Sequence, residues 1–216
     1  VLKLTEKIIY SDLKNRAFTS HDLERLFNTD ASQYGAINRA LKKKEIVRLH
    51  RGVYLLDNRY LTVPPSRFYL ASRIDLHSYI SMEAALSYHG WIPERTTQTT
   101  CITALGRTKT VNNNYGEFAF HHIPINRYEF YTGVSRVEEQ QGPFFIASPL
   151  RALADLIYVR KIDDPSLDYL TNSLRIEFDD LATLAQEELS ALRQAYRSKR
   201  VLQLIDNLQE YQQNEQ

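Results

Sequence analysis

Apolar positions recur through the first 66 residues at spacings that predict four elements. In residues 2–15, Leu2, Ile9 and Leu13 share one helical face, with Leu4 and Ile8 beside them, so a helix is expected. Thr19 is followed three residues later by Asp22, the pattern of a capping box. Leu23, Leu26 and Phe27 then give an apolar stripe, so a second helix opens at Thr19. Asn28-Thr29-Asp30 interrupts it with side chains that favour turns. A third helix is expected over about 32–44, with Ile37 and Leu41 facing inward. Ile46-Val47-Arg48-Leu49 and Val53-Tyr54-Leu55-Leu56 flank His50-Arg51-Gly52, and β-rich runs around a glycine turn read as a hairpin. Helix, turn, polar-faced helix and basic hairpin together predict a winged helix-turn-helix.

After Asp57-Asn58-Arg59 comes Val63-Pro64-Pro65, a stiff extended connector. A domain boundary is expected there, giving units 1–66 and 67–216. In the second unit, short helices are expected over 67–76 and 81–89, the latter stopped by Gly90 as a C-cap residue. Residues 96–105 are rich in β-branched side chains and read as a strand. Residues 106–114 read as a loop. Further strands are expected over 116–123, within 128–137, and over 144–147, in a small and mostly antiparallel sheet spanning 91–147. From Ser148 the period becomes helical. Ser148 caps, Pro149 suits the first helical position, and Leu150, Leu153, Ala154 and Ile157 form a stripe. Three more helices are expected over about 165–174, 178–197 and 199–212, with a frayed Gln-rich end. The fold class is therefore α+β.

Composition changes this picture little. Of the 216 residues, 43% are hydrophobic and 25% charged, ordinary for a globular protein. No apolar run approaches the roughly 20 residues that span a bilayer. The first residues carry no signal-peptide pattern, so a cytoplasmic location and no membrane partner are expected. The single cysteine, Cys101, excludes an internal disulfide and a multi-cysteine zinc site.

Charge changes it more. Residues 1–66 hold 12 Lys and Arg against 7 Asp and Glu, whereas the remainder holds 15 against 19. The basic excess falls on the winged unit, the footprint expected of a nucleic-acid binder. The third helix would enter the major groove. Ser32 and Tyr34 lie near its start. Gln33, Asn38 and Arg39 bear the amide and guanidinium groups that bond base edges in pairs. Lys42, Lys43, Arg48, His50 and Arg51 would hold the phosphate backbone, with Arg51 at the wing tip. Lys42 and Lys43 also have a plain structural reading, as cations favoured at a helix C-terminus.

Other candidates for chemistry read as structural. His121 and His122 are adjacent in a strand, so they point to opposite faces and do not share a metal. Asp163-Asp164 and Asp179-Asp180 precede or open helices, where acids are favoured. Cys101 lies in an apolar strand. No glycine-rich phosphate loop occurs. No cofactor, no metal and no enzymatic activity are expected.

Three segments carry a resemblance. Ile46-Val47-Arg48-Leu49-His50-Arg51-Gly52-Val53-Tyr54 resembles a strand, basic turn and Gly-aliphatic-Tyr signature. The run from Tyr79 to Pro93, YISMEAALSYHGWIP, is similar to a small-residue helix ending in glycine. Ser148-Pro149-Leu150-Arg151-Ala152-Leu153-Ala154-Asp155-Leu156 resembles a later helix. In this order they resemble the AbiEi-type antitoxins, transcriptional regulators of type IV toxin–antitoxin (abortive infection) systems. That family often has glycine where Glu45 stands, and the final helices carry no match. The resemblance implies a DNA-binding repressor of its own operon that opposes a nucleotidyltransferase-like toxin. Its partner would be operator DNA, with the protein a monomer or a DNA-assembled dimer. Two rivals are a winged helix used only for protein contacts, and a nucleic-acid enzyme using a carboxylate such as Asp155 or Asp179.

Overall fold

The computed structural model describes residues 1–27 and 29–214 and is α+β. Helix α1 spans Lys3–Ile9, half the length its apolar pattern predicts. Ser11 ends it: its Oγ donates to the Ile8 carbonyl at 2.9 Å and accepts from the Leu13 N–H at 3.2 Å. Such local bonding competes with the helix ladder. Leu4, Ile8 and Leu13 are buried, whereas Leu2 and Ile9 only border the core.

Strand β1 (Phe18–Thr19) leads into α2 (Ser20–Leu23) and a 3-10 turn over Glu24–Leu26. The expected capping box is present. The Thr19 N–H donates to Asp22 Oδ2 at 2.6 Å, and the Asp22 N–H donates to Thr19 Oγ1 at 3.2 Å. Asn28, part of the expected turn, lies outside the described residues. Thr29 caps α3 (Asp30–Lys42) by accepting from the Ser32 N–H, so this helix starts two residues before its expected position. It ends in a Schellman turn, with Glu45 N–H donating to Ala40 O and Lys44 N–H to Leu41 O. Lys44 sits at φ 54°, a left-handed position that usually takes glycine.

Strands β2 (Ile46–His50) and β3 (Val53–Leu56) form the expected hairpin around Gly52, whose φ is 77°. β1 pairs antiparallel with β3, completing a three-stranded sheet in the order β1-β3-β2. At two residues, β1 is too short to show a period. The hairpin serves two cores by strand alternation. Ile46, Tyr54 and Leu56 pack with Phe18, Leu23, Ile37 and Ala40. Leu49 and Leu55 point the other way and join Ala17 in the core of the second unit.

The second unit contains α4 (Arg67–Ile74), β4 (Ser78–Ile80), α5 (Met82–Tyr88), β5 (Gln98–Thr103), β6 (Lys109–Asn113), β7 (Gly116–His122), β8 (Val134–Val137) and β9 (Phe144–Ala147). Its six strands run in the order β6-β7-β5-β4-β9-β8. The sheet is mixed: three of its five pairings are antiparallel, in keeping with a mostly antiparallel sheet, while β5 pairs parallel with β7, and β4 with β9. β6 falls where a loop was expected, because only Val111 of its five side chains is buried and the outer ones hide the period. Central β5 is buried along almost its whole length. Thr100 Oγ1 there donates to Ser81 O at 2.6 Å and accepts from Ala84 N–H at 3.2 Å, capping α5.

Ser148 and Pro149 open α6 (Pro149–Arg160) as expected, Ser148 Oγ accepting from the Arg151 N–H. A π-helical turn (Tyr169–Ser173) follows, then α7 (Phe178–Ala182), α8 (Gln186–Ala195) and α9 (Lys199–Asn214). The single helix expected over 178–197 is thus broken. Ala185 is extended and Thr183 Oγ1 donates to Asp180 O at 2.7 Å. The break lets Leu181 and Leu184 reach the same core as Leu189 and Leu192. The Gln-rich end is tied down, since Gln212 Nε2 donates to Leu184 O at 2.7 Å and to Leu181 O at 3.3 Å. No described helix is long and apolar enough to cross a membrane.

A buried polar knot holds this unit together. Arg151 and Asp155, both 0% exposed, lie one turn apart on α6 with Nε and Oδ1 at 3.4 Å. Asp155 accepts from Tyr79 Oη at 2.9 Å, Ser81 Oγ at 2.6 Å and Tyr196 Oη. Burial first, then the Asp155 charge, holds both tyrosines well above the ordinary phenol range, so they remain donors. Arg151 donates to Thr132 O at 2.7 Å, Phe130 O at 3.2 Å and Glu129 O at 3.4 Å. These carbonyls are therefore unavailable to a ladder, and the strand expected within 128–137 begins only at Val134.

Candidate nucleic-acid interface

α3 buries Gln33, Ala36, Ile37 and Ala40 along one side. The opposite arc presents Ser32, Tyr34, Asn38, Arg39 and Lys42 to solvent, and Lys43 follows at the C-cap. Gln33 corrects its expected role. Its side chain is turned inward, the residue is 6% exposed, and Nε2 donates to the Ser20 carbonyl, fixing α3 to α2. Tyr34, at 71% exposed, is the most prominent apolar surface of the helix. Arg39 lies back along the axis over Gly35, where an added Cβ would stand 3.2 Å from Arg39 Nη1. Glycine within a helix costs about 1 kcal/mol relative to alanine; here it leaves room for the guanidinium.

The hairpin places Arg51 beside Gly52 at its exposed tip. Arg48 is exposed on β2, and its guanidinium carbon stands 5.9 Å from the centroid of Tyr54. A groove of about 560 Å³ runs between α3 and the hairpin, bordered by Tyr34, Arg48, Arg51 and Tyr54, with Glu24 as its acidic member. His50 closes β2 next to Arg51. It is half-buried, and burial first, then the nearby Lys109 charge, pulls its imidazole below the ordinary histidine range. The shift favours the neutral imidazole over the cation.

Five exposed cations cluster on this surface. Among the described residues, no carboxylate forms an ion pair with Arg39, Lys42, Lys43, Arg48 or Arg51. Elsewhere some cations are paired, Arg25 with Asp12, Arg160 with Glu83, Arg193 with Asp206 and Arg200 with Asp163, while others such as Arg67, Arg107 and Lys199 form no ion pair with a described carboxylate, so it is the clustering that marks this surface. Two further cations belong beside the surface and were missed in the sequence. Lys3 and Lys7 of α1 border a second groove, about 480 Å³, with Thr29, Ser32 and Arg39. Lys7 Nζ donates to Leu26 O at 2.7 Å and stands 5.5 Å from the Phe27 centroid. In sequence they read only as the polar side of an amphipathic helix; proximity to Arg39 comes from the tertiary fold.

The carboxylates and thiol weighed for chemistry are placed as follows. Asp155 is sealed in its knot, and Cys101 is buried, which pushes its thiol far above the usual range. Asp179 and Asp180 lie in the first turn of α7, and Asp163 engages Arg200 at 2.6 Å. His122 Nδ1 stands 3.3 Å from Thr103 O, while adjacent His121 is half-buried. Among the described residues, no three His, Cys, Asp or Glu side chains are grouped to hold a metal ion. No protein-family model and no curated protein matches the chain.

Proposed function

We propose that residues 1–66 are a winged helix-turn-helix that reads duplex DNA, and that the protein is a repressor and antitoxin of a type IV toxin–antitoxin system. One observation carries the DNA half: five cations without acid partners, Arg39, Lys42, Lys43, Arg48 and Arg51, share the exposed surface of α3 and the hairpin. At 13 residues, α3 is roughly 20 Å long, and the major groove is wide enough to admit it. Tyr34, Asn38 and Arg39 meet base edges; Ser32, Lys42, Lys43, Arg48 and Arg51 meet phosphates. Gln33 acts from within, by setting the angle of α3. The antitoxin half rests on the resemblance of the three segments to AbiEi-type regulators. It implies a cytoplasmic partner resembling a nucleotidyltransferase.

The test is binding of the full chain to its own upstream DNA against a scrambled duplex across a salt series. Neutralising about five phosphates gives a log–log salt slope near −4.5. Tight binding to the cognate duplex alone supports the regulator. Equal weak binding to both leaves a basic surface without readout, and no binding at low salt overturns the assignment. Co-expression with the neighbouring toxin then tests rescue separately. A second reading, a winged unit built for protein contacts, draws on Leu49 and Leu55, which already spend one hairpin face on the second unit. It predicts no DNA affinity.

A further inference from the structure

Between the two units lies a cleft of about 470 Å³ whose walls come from the α1–α2 region on one side and from α4 and the β8–β9 turn on the other. Its charges do not balance internally. Arg25 is neutralised by Asp12, and His21 by Glu24 at 3.0 Å. The Asp22 carboxylate accepts from the Thr19 N–H and Thr19 Oγ1 but keeps its negative charge, which interacts with Arg73. The lining thus holds three arginines, Arg16, Arg25 and Arg73, against two carboxylates, Asp12 and Asp22, an excess of one positive charge. Arg73 lines the cleft from α4, and its Nε is buried with no hydrogen-bond partner. Arg16 reaches across from the first unit, its Nη2 3.9 Å from where a Cβ on Gly142 would stand. Neither forms an ion pair with a described carboxylate.

The remaining walls suit a small molecule. Tyr69 packs 3.2 Å from the Gly142 Cβ position, and its hydroxyl accepts from the Ala17 N–H at 2.9 Å, so it belongs to both units. Leu13, Pro143 and Phe145 add apolar surface. The volume is in the range of metabolite pockets. A guanidinium offers paired N–H donors to an oxyanion, and the lining's excess of one positive charge favours an anion.

We propose that this cleft binds a small oxyanion-bearing metabolite, clamped between Arg16 of the first unit and Arg73 of the second. The shared chemistry is a phosphoryl group or a carboxylate presenting two oxygens. Binding ties the two units together, and the site does not depend on the DNA reading.

Isothermal titration calorimetry on the full chain tests it, with inorganic phosphate and with malonate as probes at chloride-matched ionic strength. Saturable one-to-one binding of either probe is expected, phosphate alone indicating a phosphoryl ligand and malonate alone a carboxylate. Arg73→Gln and, independently, the exposed Arg16→Gln should each weaken it about tenfold or more. Arg16→Gln keeps the test valid if Arg73→Gln fails to fold. No saturable binding of either probe, or binding that both variants leave unchanged, overturns the proposal.

Discussion

Asp155→Leu tests whether the buried knot holds the second unit together. The wild-type carboxylate is fully buried, pairs with a fully buried Arg151, and accepts three hydroxyl protons, from Tyr79, Ser81 and Tyr196. Leucine keeps much of the volume but removes the only anion. Breaking one side of a buried pair costs about 3–5 kcal/mol, because the remaining charge is left uncompensated. Each hydroxyl that finds no new acceptor adds about 1 kcal/mol. Against a typical stability of about 5–15 kcal/mol, the substitution should consume a third or more of the total. Arg151→Met/Asp155→Leu removes both charges and should be less damaging than Asp155→Leu, though still costly. It leaves the carbonyls of Glu129, Phe130 and Thr132 without their donor. A double-mutant cycle with Arg151→Met should therefore show a coupling of about 2 kcal/mol or more. The assay is urea unfolding followed by Trp91, the only tryptophan, which packs in the core of the second unit. A loss below about 1 kcal/mol for Asp155→Leu, or strict additivity in the cycle, would refute the reasoning.

Arg39→Gln should cost about 1–3 kcal/mol on a cognate duplex and less on random DNA; equal loss on both, in a fluorescence-anisotropy titration, makes Arg39 a phosphate contact. Gln33→Leu should leave sequence preference unchanged while lowering stability by about 1 kcal/mol, and a changed preference in the same titration would return Gln33 to the readout set. Lys44→Gly should stabilise the protein by about 1 kcal/mol, since it relieves left-handed strain at φ 54°; a lower urea midpoint would contradict this. For Asp22, burial pushes the carboxyl up, but the Thr19 bonds and the Arg73 charge outweigh it, and the net is below the ordinary value. A depressed folded value means a contribution present above the unfolded value and lost as pH falls through the folded one. Asp22→Ala should therefore cost about 1 kcal/mol at pH 7, and the gap to wild type should narrow below about pH 4, as thermal melts across pH would record.

What the sequence made legible was local. The Thr19–Asp22 box, the Ser148-Pro149 start and the Gly90 stop each depend on groups within a few residues, and each stands where its pattern put it. The outward face of α3 was legible except at Gln33. That residue sits four before Ile37, a spacing that points inward, but its polarity argued outward. Burial prevailed because Ser20 O supplies a partner. The order of the large sheet was not legible, since β5–β7 and β4–β9 are parallel pairings between distant segments. Arg151 and Asp155 stand at i, i+4, a spacing that does not tell a buried pair from an exposed one. Their burial depends on Tyr79, Ser81 and Tyr196 arriving from more than 40 residues away.

The same non-local packing decides what the wing can do. Leu49 and Leu55 sit on alternate faces from Ile46, Tyr54 and Leu56, so both faces of the hairpin are spent on cores. Asn113 Nδ2 donates to Leu49 O at 3.0 Å, and Tyr115 Oη to Asn58 Oδ1 at 2.9 Å, fixing the hairpin to the second sheet. His50 is drawn into this contact, beside Lys109. Of its basic side chains, Arg51 at the tip and Arg48 on the outer side remain exposed. A displacement of the second unit would have to drag Leu49 and Leu55 and so re-aim β2 and β3 against α3. The exposed face of α3 and the second unit are thus joined through this hairpin, which contributes to both cores.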